Sequence, residues 1–329
     1  MRNSIGRRDF LTNLGAIGLG LGLGPAQAQS AWPSRPIRFI TQAAAGDAVE
    51  LRLREFAQAL TPLLNGAPTI IDNKPGAGGM LAHQALLQAP ADGYTFMLAN
   101  AAMTIFPSIY RKLPYSPLKD FMPVAFSGLS PIGLAIPASR PEKTLAEWVA
   151  WAGKQKGKLN FGSPGNGSVS HVYGFQVNED FDLGATHIPY KGASPALMDL
   201  AAGQVHYLML DTFSLRPLLT RGALRVLAVT GERRSKFLPD LPTFAELGHR
   251  GYDRMGWTGY YARAGTPTAI VEQMAAAINK LNAAPEWAEK RDQVWSDWQP
   301  FKPAELAERV KLETEAYARL IAKIGFYAD

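Results

Sequence analysis

The sequence predicts a two-lobed α/β protein with a cleft between the lobes. Three observations carry that expectation. Strand-like and helix-like segments alternate through residues 37–98 and again through 145–229. The segments between strands are long enough for helices, and strands joined that way pair in parallel as βαβ units. The C-terminal part then reads as helix and returns to the fold.

The elements follow in order. Ile37-Arg38-Phe39-Ile40-Thr41 alternates apolar and polar residues, as a strand does. A helix is predicted over 49–64, a short apolar strand over 69–71, a helix over 80–88 and a strand over 95–98. The second run gives a helix over 145–155, a strand over 159–161, a helix after Ser168 and a strand over 185–188. Ser194-Pro195 reads as an N-cap with proline at the first helical position, and Gly203 closes that helix. Strands are predicted over 205–210 and 224–229. Thr266-Pro267 caps a helix whose Ile270, Val271, Met274, Ile278 and Leu281 fall at helical spacing, and a second long helix covers 303–324.

Ahead of these elements stands an export signal. Arg2, Arg7 and Arg8 precede an apolar, glycine-rich stretch over 11–23, Pro25 breaks it, and Ala26-Gln27-Ala28 offers small residues at both cleavage-determining positions. Arg7-Arg8-Asp9-Phe10-Leu11 fits the twin-arginine type, with an ordinary secretory signal as the alternative. The stretch is shorter than the roughly 20 apolar residues of a membrane span. The expectation is a soluble, periplasmic chain that begins at Gln29. Removal of three Arg and one Asp takes the formal charge from +6 to +4.

Composition excludes several functions. The chain has no cysteine, so disulfides, thiolate metal sites, a Cys nucleophile and a lipidated N-terminal Cys are out. No Lys/Arg run with interleaved aromatics suggests a nucleic-acid surface. His83, His171, His187, His206 and His249 show no metal-ligand spacing, and no Ser/His/Asp set stands out. No cofactor and no metal are expected. A mild positive charge suits an anionic ligand without proving one.

In such sheets ligands sit beyond the carboxyl ends of the strands, so four loops matter. Gln42-Ala43-Ala44-Ala45-Gly46-Asp47 is either a ligand approach to backbone N–H groups or a tight turn. Asn73-Lys74-Pro75-Gly76-Ala77-Gly78-Gly79 lacks the Gly-Lys-Ser/Thr of a phosphate loop, and its glycines either expose backbone N–H groups at a helix start or form a structural turn, the favoured reading. Gly162-Ser163-Pro164-Gly165-Asn166-Gly167-Ser168-Val169-Ser170 opens a helix and is a candidate carboxylate cradle, with plain capping as the alternative. It is not a dinucleotide fingerprint, because Ser170 stands where the third glycine belongs, and it has no Gly-x-Ser-x-Gly. Tyr190 and Lys191 precede a helix and suit a carboxylate, or else Lys191 is simply solvated. Asp211, at a strand end, caps the next helix or binds a ligand amine or hydroxyl.

These loops occur in an order that resembles the Bug family, the periplasmic solute receptors of tripartite tricarboxylate transporters. The resemblance runs through Trp32-Pro33-Ser34-Arg35-Pro36-Ile37-Arg38, Asp72 to Gly79 and Ala91-Asp92-Gly93-Tyr94-Thr95. It continues in Phe161 to His171, Ile188-Pro189-Tyr190-Lys191-Gly192 with Pro195-Ala196-Leu197, and Gly203-Gln204-Val205. Leu227 to Thr230, Arg233-Arg234-Ser235, Leu238 to Thr243 and Ala264-Gly265-Thr266-Pro267 complete it. The resemblance implies a type II-like Venus-flytrap fold of periplasmic-binding type. Lobe 1 would span 29–128 and 252–329, and lobe 2 would span 129–251, with crossings near 127–129 and 251–256. It implies a small carboxylate ligand held by Ala44, Ala45 and Gly46 from lobe 1 and by Gly165, Asn166, Gly167, Ser168 and Ser170 from lobe 2. Asn100, Ala101, Ala102 and Met103, with Asp211 and Thr212, would line the cleft.

The first loop departs from the family pattern. Asp47 replaces a glycine, and Glu50 stands where Asp is usual. An added carboxylate repels an anionic ligand. Either Asp47 points to solvent, or the ligand is less anionic or carries an amine. Met103, Phe106 and Tyr110 suit an aromatic ligand or a core equally. The resulting reading is a monomeric binding protein, not an enzyme, that delivers a small organic acid to integral membrane transporter subunits. The rivals are a sensor that presents its closed form to a receptor kinase and an exported enzyme using the same cleft.

Overall fold

The computed structural model describes residues 32–327, so the signal-peptide expectation lies outside the described residues. The first run comprises β1 (Ile37–Thr41), α1 (Ala48–Leu60), β2 (Thr69–Asn73), α2 (Met80–Gln88), β3 (Thr95–Asn100), α3 (Ala102–Ile109) and β4 (Phe121–Ser130). The second comprises β5 (Ile132–Pro137), α4 (Leu145–Gly153), β6 (Asn160–Ser163), α5 (Val169–Asp180), β7 (Thr186–Pro189), α6 (Ala193–Ala201), β8 (Tyr207–Asp211), α7 (Thr212–Leu219) and β9 (Leu224–Val229). The return adds β10 (Gly256–Arg263), α8 (Thr268–Ala283), α9 (Pro285–Gln293) and α10 (Pro303–Ile324).

The strands form two five-stranded sheets, ordered β2-β1-β3-β10-β4 and β7-β6-β8-β5-β9. In the first, β1 pairs in parallel with β2 and β3, while β10 runs antiparallel to β3 and β4. In the second, β6 pairs in parallel with β7 and β8, and β5 runs antiparallel to β8 and β9. Only Pro131 separates β4 from β5, so the chain passes from one sheet to the other in a single residue. It re-enters the first sheet at Gly256.

The apolar pattern explains the layers. β3 is buried at its first five positions and β5 throughout, as strands covered on both faces are. α1 turns Leu53, Phe56 and Leu60 onto Phe39, Phe96 and Tyr260 behind the first sheet, together with Met274 and Ile278 of α8. A second cluster continues from Ile40 and Phe106 to Tyr173 and Tyr207, so apolar packing bridges the two sheets. Leu197, Leu200, Leu208 and Val226 fill the outer side of the second sheet.

Two helix starts differ from the sequence expectation. α6 begins at Ala193 with Gly192 as N-cap, two residues ahead of the expected Ser194 cap and Pro195 start, and the Ser194 hydroxyl is turned onto Asp47 instead of capping. α8 begins at Thr268, and Thr266 Oγ1 donates to the Arg263 carbonyl at 2.8 Å, so Thr266 does not cap the helix.

Candidate functional site

A cavity of about 190 Å3 lies where the two sheets present their loops to each other. Gln42, Ala43 and Asp47 come from the β1–α1 loop, and Asn100 and Ala101 from the end of β3. Facing them are Ser168 and Ser170 at the start of α5, Gly192 and Ala193 at the start of α6, and Asp211 and Ser214 at the start of α7. The crossing strand from Ser127 to Ser130 and the start of β10 form the floor. Beyond the floor the cavity continues to Arg52 and Phe56 on α1, Tyr260 on β10, and Asn282, Trp287 and Arg291 on α8 and α9.

The loops are stiffened from within. Ser168 Oγ caps α5 by accepting the His171 N–H at 3.2 Å, and Gly167 N–H donates to His171 Nδ1 at 3.2 Å. His171 stacks on His187 with ring centres 3.5 Å apart, and Ser163 Oγ lies 2.7 Å from His187 Nε2. Burial, then the neighbouring His187, lowers His171 to about 3, and burial lowers His187 to about 4, so both rings are neutral near pH 7. Asp211 Oδ1 accepts the Ser214 N–H at 2.8 Å and caps α7. Burial raises the Asp211 carboxyl above its ordinary value, against the Ser214 hydrogen bonds, and the Asp47 charge raises it further.

Asp47 does not face solvent. It is 4% exposed. Its Oδ2 accepts the Ala44 N–H at 3.1 Å, and its Oδ1 accepts the Ser194 N–H at 3.2 Å and the Ser194 hydroxyl. The carboxylate from one lobe thus sits on the N-terminal end of α6 in the other, where partial positive charge gathers. Glu50 Oε2 accepts the Gly46 N–H at 3.2 Å, and Arg54 bonds Glu50 Oε1. Of the backbone donors expected to hold a ligand carboxylate, those of Ala44 and Gly46 in the first lobe are therefore bonded to the chain's own carboxylates.

Of the residues singled out by sequence, Asp47, Asn100, Ala101, Ser168, Ser170 and Asp211 line the cavity together. Ala44 and Gly46 are tied as described, and Ala45 is exposed beside them. Ala102 and Met103 are fully buried in the core, as is Phe106, which packs edge-on against His83. Thr212 is buried, with its hydroxyl 3.0 Å from that of Ser130. Tyr190 donates its hydroxyl to Asp199 Oδ2 at 2.6 Å, and Lys191 is exposed.

Gly165, Asn166 and Gly167 form a seam with the first lobe. A Cβ on Gly78 would lie 2.2 Å from the Asn166 carbonyl oxygen, and one on Gly167 would lie 2.6 Å from Ile109 Cδ1. The Asn73–Gly79 turn thus also serves the contact between lobes.

Sequence reasoning missed Arg52, Asn282, Trp287 and Arg291. A signal was present for two of them. Arg52 stands beside Leu53 and within one turn of Val49 and Phe56, and Asn282 follows Leu281 on the buried side of α8. A polar residue on the apolar stripe of a helix calls for a partner.

The described residues hold no group of three or more His, Asp or Glu side chains placed to grip a metal ion. No helix among them is long and apolar enough to cross a membrane.

Comparison with known proteins adds the following. The family model described as tripartite tricarboxylate transporter family receptor matches residues 53–325. A protein from the tcbD-tcbE intergenic region of Pseudomonas sp. (strain P51) is 32% identical over 327 residues, covering 99% of this chain and 97% of the relative. Periplasmic binding protein BugD superposes with a TM-score of 0.85 at 29% identity, covering 90% of this chain and 99% of that one. The R. palustris protein Rpa4515, solved with adipate, gives the same TM-score, identity and coverages. MatC from Rhodopseudomonas palustris, with bound malate, gives 0.83 at 28% identity, covering 88% and 99%.

Proposed function

The chain belongs to the tripartite tricarboxylate transporter receptor family of Bug-type solute-binding proteins, and from that membership we propose that it captures a small carboxylate outside the cytoplasmic membrane and hands it to integral transporter subunits. Its family and structural neighbours are solute-binding proteins, not enzymes. The carboxylate class rests on two neighbours, one solved with adipate and one with malate. The observation that carries the reading is the cavity between the lobes, closed on one side by the capped N-terminus of α5. A helix start favours an anion, and a space bounded by both lobes couples binding to closure.

In this reading the chain is exported on its twin-arginine signal, is cut after Ala28 and acts as a monomer in the periplasm. Its two lobes, one built on the first sheet and carrying both ends of the chain and the other built on the second sheet from Ile132 to Val229, move about the crossings at Pro131 and ahead of Gly256.

The test is a thermal-shift and calorimetric screen of the mature protein against mono-, di- and tricarboxylates, acidic amino acids and aromatic acids. A ligand at about a thousand times its Kd adds roughly 4 kcal/mol. The expected result is a shift of several degrees for one class of acid, with the ligand recovered unchanged. A shift from neutral or cationic compounds alone would overturn the carboxylate assignment.

A further inference from the structure

The far end of the cavity, between α1 and α9, has a chemistry that the cleft loops lack. Arg52 Nη1 donates to Glu55 Oε2 at 3.0 Å, and its guanidinium lies 4.0 Å over the Trp287 ring. Its Nη2 is buried without a hydrogen-bond partner. Asn282 is 2% exposed; its carbonyl accepts from Arg291 Nη1, and its Nδ2 is buried without a partner. Arg291 is the third polar group on this wall, and burial, then the Arg52 charge, pulls its guanidinium below the ordinary value. Three cations gather here. Arg52 and Lys290 share Glu55, while Asp292 and Asp297 bond Lys236 and also favour the charged form of Arg291, which leaves three acids against these four cations. The local balance is positive. Buried donors left unpaired beside like charges are costly unless an anion completes them.

We infer that this end of the cavity is an anion subsite, in which Arg52, Asn282 and Arg291 receive the head group of a monoanionic carboxylic acid whose apolar body packs toward Phe56 and Tyr260. A guanidinium fork beside an amide N–H suits the two oxygens of a carboxylate. A single charge follows from the other end of the cavity. There Asp47 and Asp211 line the wall, and the Ala44, Gly46 and Ser194 N–H groups are already bonded to carboxylates of the chain. A second carboxylate on the ligand would meet acid at that end. The assignment rests on the receptor reading and narrows its substrate class.

The experiment is calorimetry on the mature protein with benzoate, phenylacetate, hexanoate and adipate. It compares the parent with Arg52→Met, Asn282→Asp and, as a surface control, Arg35→Met, whose exposed guanidinium bonds Asp92 and does not line the cavity. The expected result is that at least one monoanion binds the parent more tightly than adipate. Arg52→Met and Asn282→Asp should weaken it tenfold or more, and Arg35→Met should stay within twofold. Should Arg52→Met fail to fold, the near-isosteric Asn282→Asp decides. An acid that binds parent and both site variants within twofold, or adipate binding tenfold tighter than every monoanion, overturns the subsite and leaves the receptor standing. No binding by any acid overturns both.

Discussion

At the scale of the residue, Asp47 decides what the cleft can hold. Its carboxylate takes the Ala44 and Ser194 N–H groups and is nearly buried. Asp47→Gly would return those donors to a ligand, and diacid binding should tighten at least tenfold relative to the parent. Unchanged diacid affinity by calorimetry would show that Asp47 does not compete for the site. The sequence marked Asp47 as anomalous but not its role, because its partner Ser194 stands 147 positions away. Arg52 escaped for the same reason, since Trp287 reaches it only through the return of the chain. His83 shows the opposite case, a titratable group with no site to serve. It is fully buried among Phe106, Tyr115 and Phe121, and burial lowers it to about 4 against a Gly79 hydrogen bond that acts the other way. The unfolded chain binds this proton near pH 6.5 and the folded one only near pH 4. Its stability contribution is whole above pH 6.5 and is lost as pH falls toward 4, roughly 3 kcal/mol for this residue. Chemical denaturation of His83→Gln should show a shallower acid loss than the parent over that window. An identical slope would place the acid sensitivity elsewhere.

Among the elements, legibility followed local signals. α2 and α10 fall where helical periodicity and flanking residues put them, at Met80–Gln88 and Pro303–Ile324. α3 and α7 were not read as helices, and each carries an internal proline, Pro107 and Pro217, that speaks against a helix in isolation. β4, β5 and β10 went unread as well. Much of β5 and β10 is buried, and a short apolar run does not by itself tell strand from helix. The turns between elements bear on function where lobes meet. Gly78 adopts φ +62°, and a Cβ there would press on the Asn166 backbone. Gly78→Ala should therefore hold the lobes apart and weaken acid binding tenfold or more. Small-angle scattering should show a larger radius of gyration with ligand present. A variant as compact as the parent would mean the seam gives way without cost.

For the whole molecule, alternation of strands and helices was enough to predict two α/β lobes, and strand order was not. Pairing of β10 between β3 and β4 depends on contacts made across most of the chain, which no local pattern reports. The lobes meet through Asp47 with Ser194 and through Gly78 with Asn166 in the same conformation that encloses the cavity. Closure on the right acid should lower the radius of gyration and slow amide exchange at both contacts. A ligand that binds without compaction would separate binding from hinge motion.

The place of β10 also sets an order of assembly. All five strands of the second sheet lie between Ile132 and Val229, but the first sheet lacks an inner strand until Gly256–Arg263 has been made. A growing chain therefore completes its middle before its beginning, against the usual N-terminal-first course of domain folding. Until then β3 and β4 each lack the neighbour that later joins them, and β1 and α1 have no finished wall to complete. A chain stopped short of Gly256 would carry one finished sheet and half a binding site.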